Sequence, residues 1–139
     1  MMNLNKILIP VDGSERSLEA IELSKTLFKS QAVEIHLLNV VEVNYIVQES
    51  IQKELIDQSN EVLDIAASKI KDYKVIKSSI VGTPYKDIID YAKKEDINMI
   101  IMTRMGLSGL QRYLIGSVTS KVVSHSPVPV LVIPEKPLD

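Results

Sequence analysis

Short apolar runs alternate with longer amphipathic stretches along the whole chain, five runs and four stretches, and this alternation is the strongest constraint on the fold. The runs are 6–11, 33–41, 74–81, 98–103 and 128–133. Lys6-Ile-Leu-Ile-Pro-Val11 is nearly continuous in apolar character, as is the end of Val33–Val41, so each reads as a strand covered on both faces. Lys74–Val81 is more polar and alternates loosely, which suits a place near a sheet edge. Val128–Ile133 is apolar and last; Pro127, Pro129 and Pro134 would protect it if it forms an edge.

The stretches between carry helix signals. Ser14 stands as cap before a helix from Glu15, with Ala20, Leu23, Leu27 and Phe28 on one side, ending at Ser30-Gln31. Val47 to Lys71 keeps Ile51, Leu55, Val62, Ala66 and Ile70 at helical spacing and reads as one long helix, with a break at Gln58-Ser59-Asn60 as the alternative. Gly82-Thr83-Pro84 opens a third helix, with Thr83 as cap, Pro84 at the first position and Asp87 in the first turn. Ile88, Ile89 and Ala92 form its buried face. The fourth helix runs from Gly116 to about His125 and stops at Ser126-Pro127. Such an order implies parallel strands with right-handed crossovers, hence a three-layer α/β/α sandwich in one domain, 1–139. Ligands of open parallel sheets sit beyond the strand carboxyl ends, where strand order reverses. In the order 3-2-1-4-5 that point lies between the first and fourth strands. The alternation alone leaves the order open.

Composition narrows the function. With 45% apolar and 24% charged residues the chain is ordinary for a globular protein. A net charge of −2 with scattered basic residues favours neither a nucleic acid nor an anionic membrane as partner. There is no cysteine, which excludes a disulfide framework, thiol catalysis and cysteine metal sites. No hydrophobic segment is long enough for a signal peptide or a membrane span, so a cytoplasmic location is expected.

The stretch Ile100–Val118 carries the chemistry. An apolar run ends, a loop follows, and Gly116-Ser117 opens a helix. Gly106, Gly109 and Gly116 are three of the five glycines of the chain. Free backbone amides converging on a helix N-terminus form a phosphate-type site, although glycines in a loop also serve as plain hinges. Neither a Walker lysine nor a GxGxxG pattern is present. Arg104 and Arg112 flank the loop, either to neutralise phosphate or as solvated surface cations. Asp12 can cap the first helix, meet a ligand, or do both. A magnesium ion would reach it through water and phosphate oxygens, and no second acid nearby makes a dedicated metal site. Ser117 has no evident base: His125 lies two helical turns on, and His36 sits mid-strand as a packed or hydrogen-bonded histidine. Met99, Met102 and Met105 read as packing residues.

Two segments resemble the universal stress protein family. The first is Ile9-Pro10-Val11-Asp12-Gly13-Ser14-Glu15, followed by Ser17 and Ala20. The second is similar to the family's nucleotide motif, Gly-x2-Gly-x9-Gly-Ser/Thr, with Gly106, Gly116 and Ser117 in place. The first glycine of the motif falls on Thr103, and Met105 stands where histidine is common. Leu110–Val118 and Pro127–Pro134 are also close to family usage. The resemblance implies the sheet order 3-2-1-4-5, a Rossmann-like fold and, in the glycine-motif branch, an ATP site, with magnesium as the nucleotide's companion. Carried over, Asp12 would lie on the adenosine side and the Val40 backbone would contact adenine. Gly106, Gly116, Ser117 and Val118 would hold the phosphates, with Gly109 beside them. The strand ends Pro10, Val11, Met102 and Thr103 complete the expected site. The resemblance also implies a homodimer paired through Val128–Ile133 and a regulator of the stress response rather than an enzyme. Two alternatives stay open: a ligand-free dimeric interaction module, and a slow ATPase or autophosphorylating protein that uses Asp12.

Overall fold

A computed structural model describes residues 4–29, 31–42, 48–104 and 115–134. Its elements follow in the order β1 (Lys6–Pro10), α1 (Glu15–Leu27), β2 (Glu34–Val41), α2 (Glu49–Ser68), β3 (Lys74–Val81), α3 (Pro84–Lys94), β4 (Met99–Thr103), α4 (Ser117–His125) and β5 (Val130–Ile133). The strands form one parallel sheet in the order β3-β2-β1-β4-β5. This is the expected order, and it makes β1 the central strand.

Helices cover both faces, which explains the unbroken apolar runs. Ile7, Ile9, Ile35, Leu37 and Ile101 point to one face, where Ala20 and Ile21 of α1 and Leu63 and Ala66 of α2 close over them. Leu8, Leu38, Ile100 and Met102 point to the other, against Ile88, Tyr91 and Ala92 of α3 and Val122 of α4. Successive strand residues point to opposite faces, so a strand buried on both must be apolar throughout. β3 lies at one edge and is only partly buried, in keeping with its polar sequence. β5 lies at the other edge.

The elements differ from the sequence expectations in instructive ways. α2 does not break near Gln58-Ser59-Asn60. Ser59 is buried, and its hydroxyl turns to the sheet, bonding Asn39 and Ser79 instead of competing for its own helix backbone. α1 buries Ser17, Ala20, Ile21 and Ser24, whereas Leu27 is largely exposed. The small residues let the helix sit close, and each buried serine gives its proton to a carbonyl three residues back. Thr83 holds the N-cap position of α3 without a side-chain capping bond. Instead the Asp87 carboxylate accepts from the Thr83 amide at 2.8 Å. An added Cβ at Gly82 would collide with that carboxylate. β5 starts two residues later than expected, because the Ser126 hydroxyl holds Val128 in a turn through both its carbonyl and its amide.

One polar chain lies in the α3 face. His36 is buried, with Nε2 2.7 Å from Glu34 Oε2 and Nδ1 2.6 Å from the Tyr91 hydroxyl. A neutral ring satisfies both by donating to the carboxylate and accepting from the phenol. Glu34 also meets Lys74 Nζ at 2.9 Å. These bonds to Lys74 and His36 hold the Glu34 carboxyl below its usual range, and burial pushes the Tyr91 phenol up. The signs follow by linkage. The Glu34 contribution is present above the ordinary carboxylate range and is lost as pH falls through the lower folded value. The Tyr91 contribution is complete below the ordinary phenol range and is lost as pH rises through the higher folded value. Glu34→Gln should therefore flatten the acid limb of the stability curve and leave the alkaline limb in place, as read from urea unfolding across pH.

Candidate functional site

A cleft of about 460 Å³ opens beyond the carboxyl ends of β1, β2 and β4. It lies at the switch point: from β1 the chain goes to β2 on one side, and after β3 it returns to β4 on the other. Pro10, Val11, Asp12, Val40, Met102, Thr103, Gly116, Ser117 and Val118, all expected at the site, line it. Gly106 and Gly109 lie outside the described residues, as do Met105 and Arg112.

The β1 exit is held by short-range bonds. Asp12 Oδ1 accepts from the Ser14 amide at 2.9 Å and from the Ser14 hydroxyl at 2.6 Å. Ser14 in turn caps α1, its Oγ accepting from the Ser17 amide at 3.2 Å. Asp12 thus shapes the turn that presents the cap, and Ser14 makes the cap itself. Gly13 has φ +86°, a left-handed conformation that L side chains adopt only with strain. A Cβ there would also stand 3.3 Å from Val62 Cγ2 of α2.

The β4 exit is tied to α4. The Thr119 hydroxyl donates to the Thr103 carbonyl at 2.8 Å, and the Gly116 amide donates to the Arg104 carbonyl at 2.8 Å. Thr103 is a regular strand residue in register with Ile133, so its backbone needs no glycine here. Arg104 contributes through its backbone: its amide donates to Ile133, and its side chain is not among those lining the cleft. Gly116 is the N-cap of α4 and supplies no capping side chain. The first intrahelical bond runs from the Ser120 amide to the Gly116 carbonyl. The first-turn amides of α4 therefore come without a side-chain cap at the wall of the cleft, where the helix dipole favours an anion.

The remaining walls were not anticipated. Leu55, Gln58, Ser59 and Val62 of α2 close one side, and Pro84 and Ile88 of α3 the other. Asn39 and Glu42 add polar groups. A sequence signal existed for two of these: Asn39 interrupts an apolar strand, and Ser59 interrupts the apolar stripe of α2. Among the described residues no cluster of three or more His, Asp or Glu is placed to hold a metal. No helix among them is long and apolar enough to cross a membrane.

Comparison with known proteins settles the family. Residues 3–134 match the profile of the universal stress protein family. The chain belongs to that family. It is 32% identical over 137 residues to universal stress protein MJ0531 of Methanocaldococcus jannaschii, covering 92% of this chain and 81% of that protein. Among solved structures, MJ0577 superimposes with a TM-score of 0.90 at 30% identity, covering 99% of this chain and 100% of that one. MJ0577 comes from the same organism. A universal stress protein from Archaeoglobus fulgidus, solved in complex with dAMP, shares the fold with a TM-score of 0.72 at 20% identity, covering 96% of this chain and 99% of that one.

The Gly13 geometry carries a direct consequence. Gly13→Ala should lower stability by about 1–2 kcal/mol, from the left-handed backbone together with the Val62 contact. Thermal unfolding of the two proteins measures it.

Proposed function

We propose that this protein binds an adenine nucleotide, ATP foremost, in the cleft between β1 and β4, and uses it as a regulatory ligand in the stress response. The observation that carries the reading is convergence: the α4 N-terminus without a capping side chain, the Asp12 turn and the end of β2 at Val40 all meet in one cleft. Its volume of about 460 Å³ lies within the 300–1,000 Å³ usual for small-ligand sites. The amides of Ser117 and Val118, with the Ser117 hydroxyl, suit phosphate oxygens. The apolar lining from Val40, Ile88 and Met102 suits a base. Asp12 lies on the adenosine side. Magnesium accompanies the phosphates through water. That a protein of this fold is known in complex with dAMP agrees with an adenine ligand.

A regulatory ligand fits the residues better than fuel does. Asp12 Oδ1 is engaged by Ser14, which favours a positioning task over that of a base for water. Gly116→Val should abolish ATP binding by steric block, with affinity at least tenfold lower and the melting temperature nearly unchanged. Calorimetry on nucleotide-free protein tests it, and an absence of heat with ATP, ADP and AMP overturns the reading.

The same proposal includes a homodimer. β5 presents an edge of Val130, Leu131, Val132 and Ile133, all only half-buried in the single chain. An apolar edge strand of this kind is completed by pairing with a second copy. Light scattering at micromolar concentration should give twice the chain mass, and a monomer mass would count against pairing.

A further inference from the structure

The way the β1–β2 ladder ends gives Asn39 a task. In a parallel sheet, alternate residues of an inner strand turn their amide and carbonyl toward the same neighbour. The Leu38 carbonyl accepts from Val11 at 2.9 Å, so Leu38 faces β1. The Val41 carbonyl accepts from Gly82 at 3.0 Å, so Val41 faces the β3 side. By this alternation Val40 turns its N–H and C=O toward the β1 side, into the cleft. The next rung would join the Val40 amide to the Val11 carbonyl, and among the described residues no such bond is made. The Val11 carbonyl is taken instead by the Asn39 side-chain amide, at 2.6 Å.

We propose that Asn39 is a positioning residue that stops the ladder at Val11, leaving the Val40 backbone pair open to the cleft and fixing the peptide that leads into Asp12. A carbonyl only accepts, so Asn39 must turn Nδ2 to Val11 and Oδ1 away. Oδ1 then accepts from the Ser59 hydroxyl at 2.6 Å. With that proton spent, Ser59 Oγ accepts from Ser79 Oγ, also at 2.6 Å. The bonds run in one direction, Ser79 to Ser59 to Asn39 to Val11, and link β3, α2, β2 and the β1 exit. Ser79 is the register partner of Asn39, and Ser59 is buried above them, so the amide has one satisfied orientation. An apolar residue at 39 would release the Val11 carbonyl to the Val40 rung, and the ladder would zip across the cleft floor.

The consequence for ligand binding rests on the adenine reading above: an open N–H and C=O side by side match the N1 acceptor and N6 donor of adenine. The test uses the 15N-labelled full chain, Asn39→Leu and Ser59→Ala, with amide exchange and ATP titration by NMR. In the native protein the Val40 amide should exchange at least tenfold faster than those of Leu37 and Leu38, and in Asn39→Leu it should become protected. ATP affinity should fall tenfold or more in Asn39→Leu. In Ser59→Ala it should fall about threefold, the scale of one neutral hydrogen bond, and the Asp12 to Ser14 amide signals should shift. A Val40 amide protected in the native protein, or native ATP affinity in a folded Asn39→Leu, overturns the proposal. If Asn39→Leu does not fold, Ser59→Ala decides: unshifted Asp12 to Ser14 signals overturn it. If the native protein binds no ATP, the nucleotide reading fails, while Val40 exchange still decides the role of Asn39.

Discussion

Between β1 and β2 the ladder runs from the Lys6–Glu34 pair to the bond between the Val11 amide and the Leu38 carbonyl, and there it ends. The β1–β2 side of the sheet's carboxyl end takes its shape from that stop. β2 continues to Val41 with only β3 as its partner, so its inner edge becomes a wall. Past Val11 the chain turns through Asp12 and Gly13 into α1, and β4 ends at Thr103 beside it. A parallel sheet gathers its strand ends on one side, and the order reversal at β1 and β4 keeps their following segments apart. The cleft is the space between those segments.

Two polar chains flank β2, one on each face. Asn39 with Ser59 and Ser79 lies under α2, and His36 with Glu34 and Tyr91 lies under α3. Buried polar groups are costly unless paired, and in both chains the groups pair one another. Each chain ties a helix to a particular strand residue, which apolar contacts alone do with less specificity. In α2 this tie holds Ser59, which interrupts the apolar stripe of the helix, at the wall of the cleft.

The cleft places the anion-favouring end of α4 opposite the Asp12 turn. In this member the α4 N-terminus is anchored twice to the end of β4, at Thr103 and at Arg104. At that junction the Thr119 hydroxyl donates to the Thr103 carbonyl and the Gly116 amide to the Arg104 carbonyl.

The sequence by itself determined the strand and helix alternation, the burial of Lys6–Val11 on both faces, the turn chemistry of Asp12-Gly13-Ser14, and the helix start at Gly116-Ser117. Each is a local property: periodicity, burial on both faces, or a backbone conformation that particular residues permit. The family resemblance, joined to the switch-point rule, brought most of the strand-end lining into view. Tertiary structure alone decided what Asn39, Ser59 and Ser79 do, because their partners lie 20 or more residues apart and meet only when α2 lies on the sheet. It also decided that α2 runs unbroken through Gln58-Ser59-Asn60. A buried serine signals helix weakness in the local chain, and only the sheet beneath it supplies the partners that make it a tether.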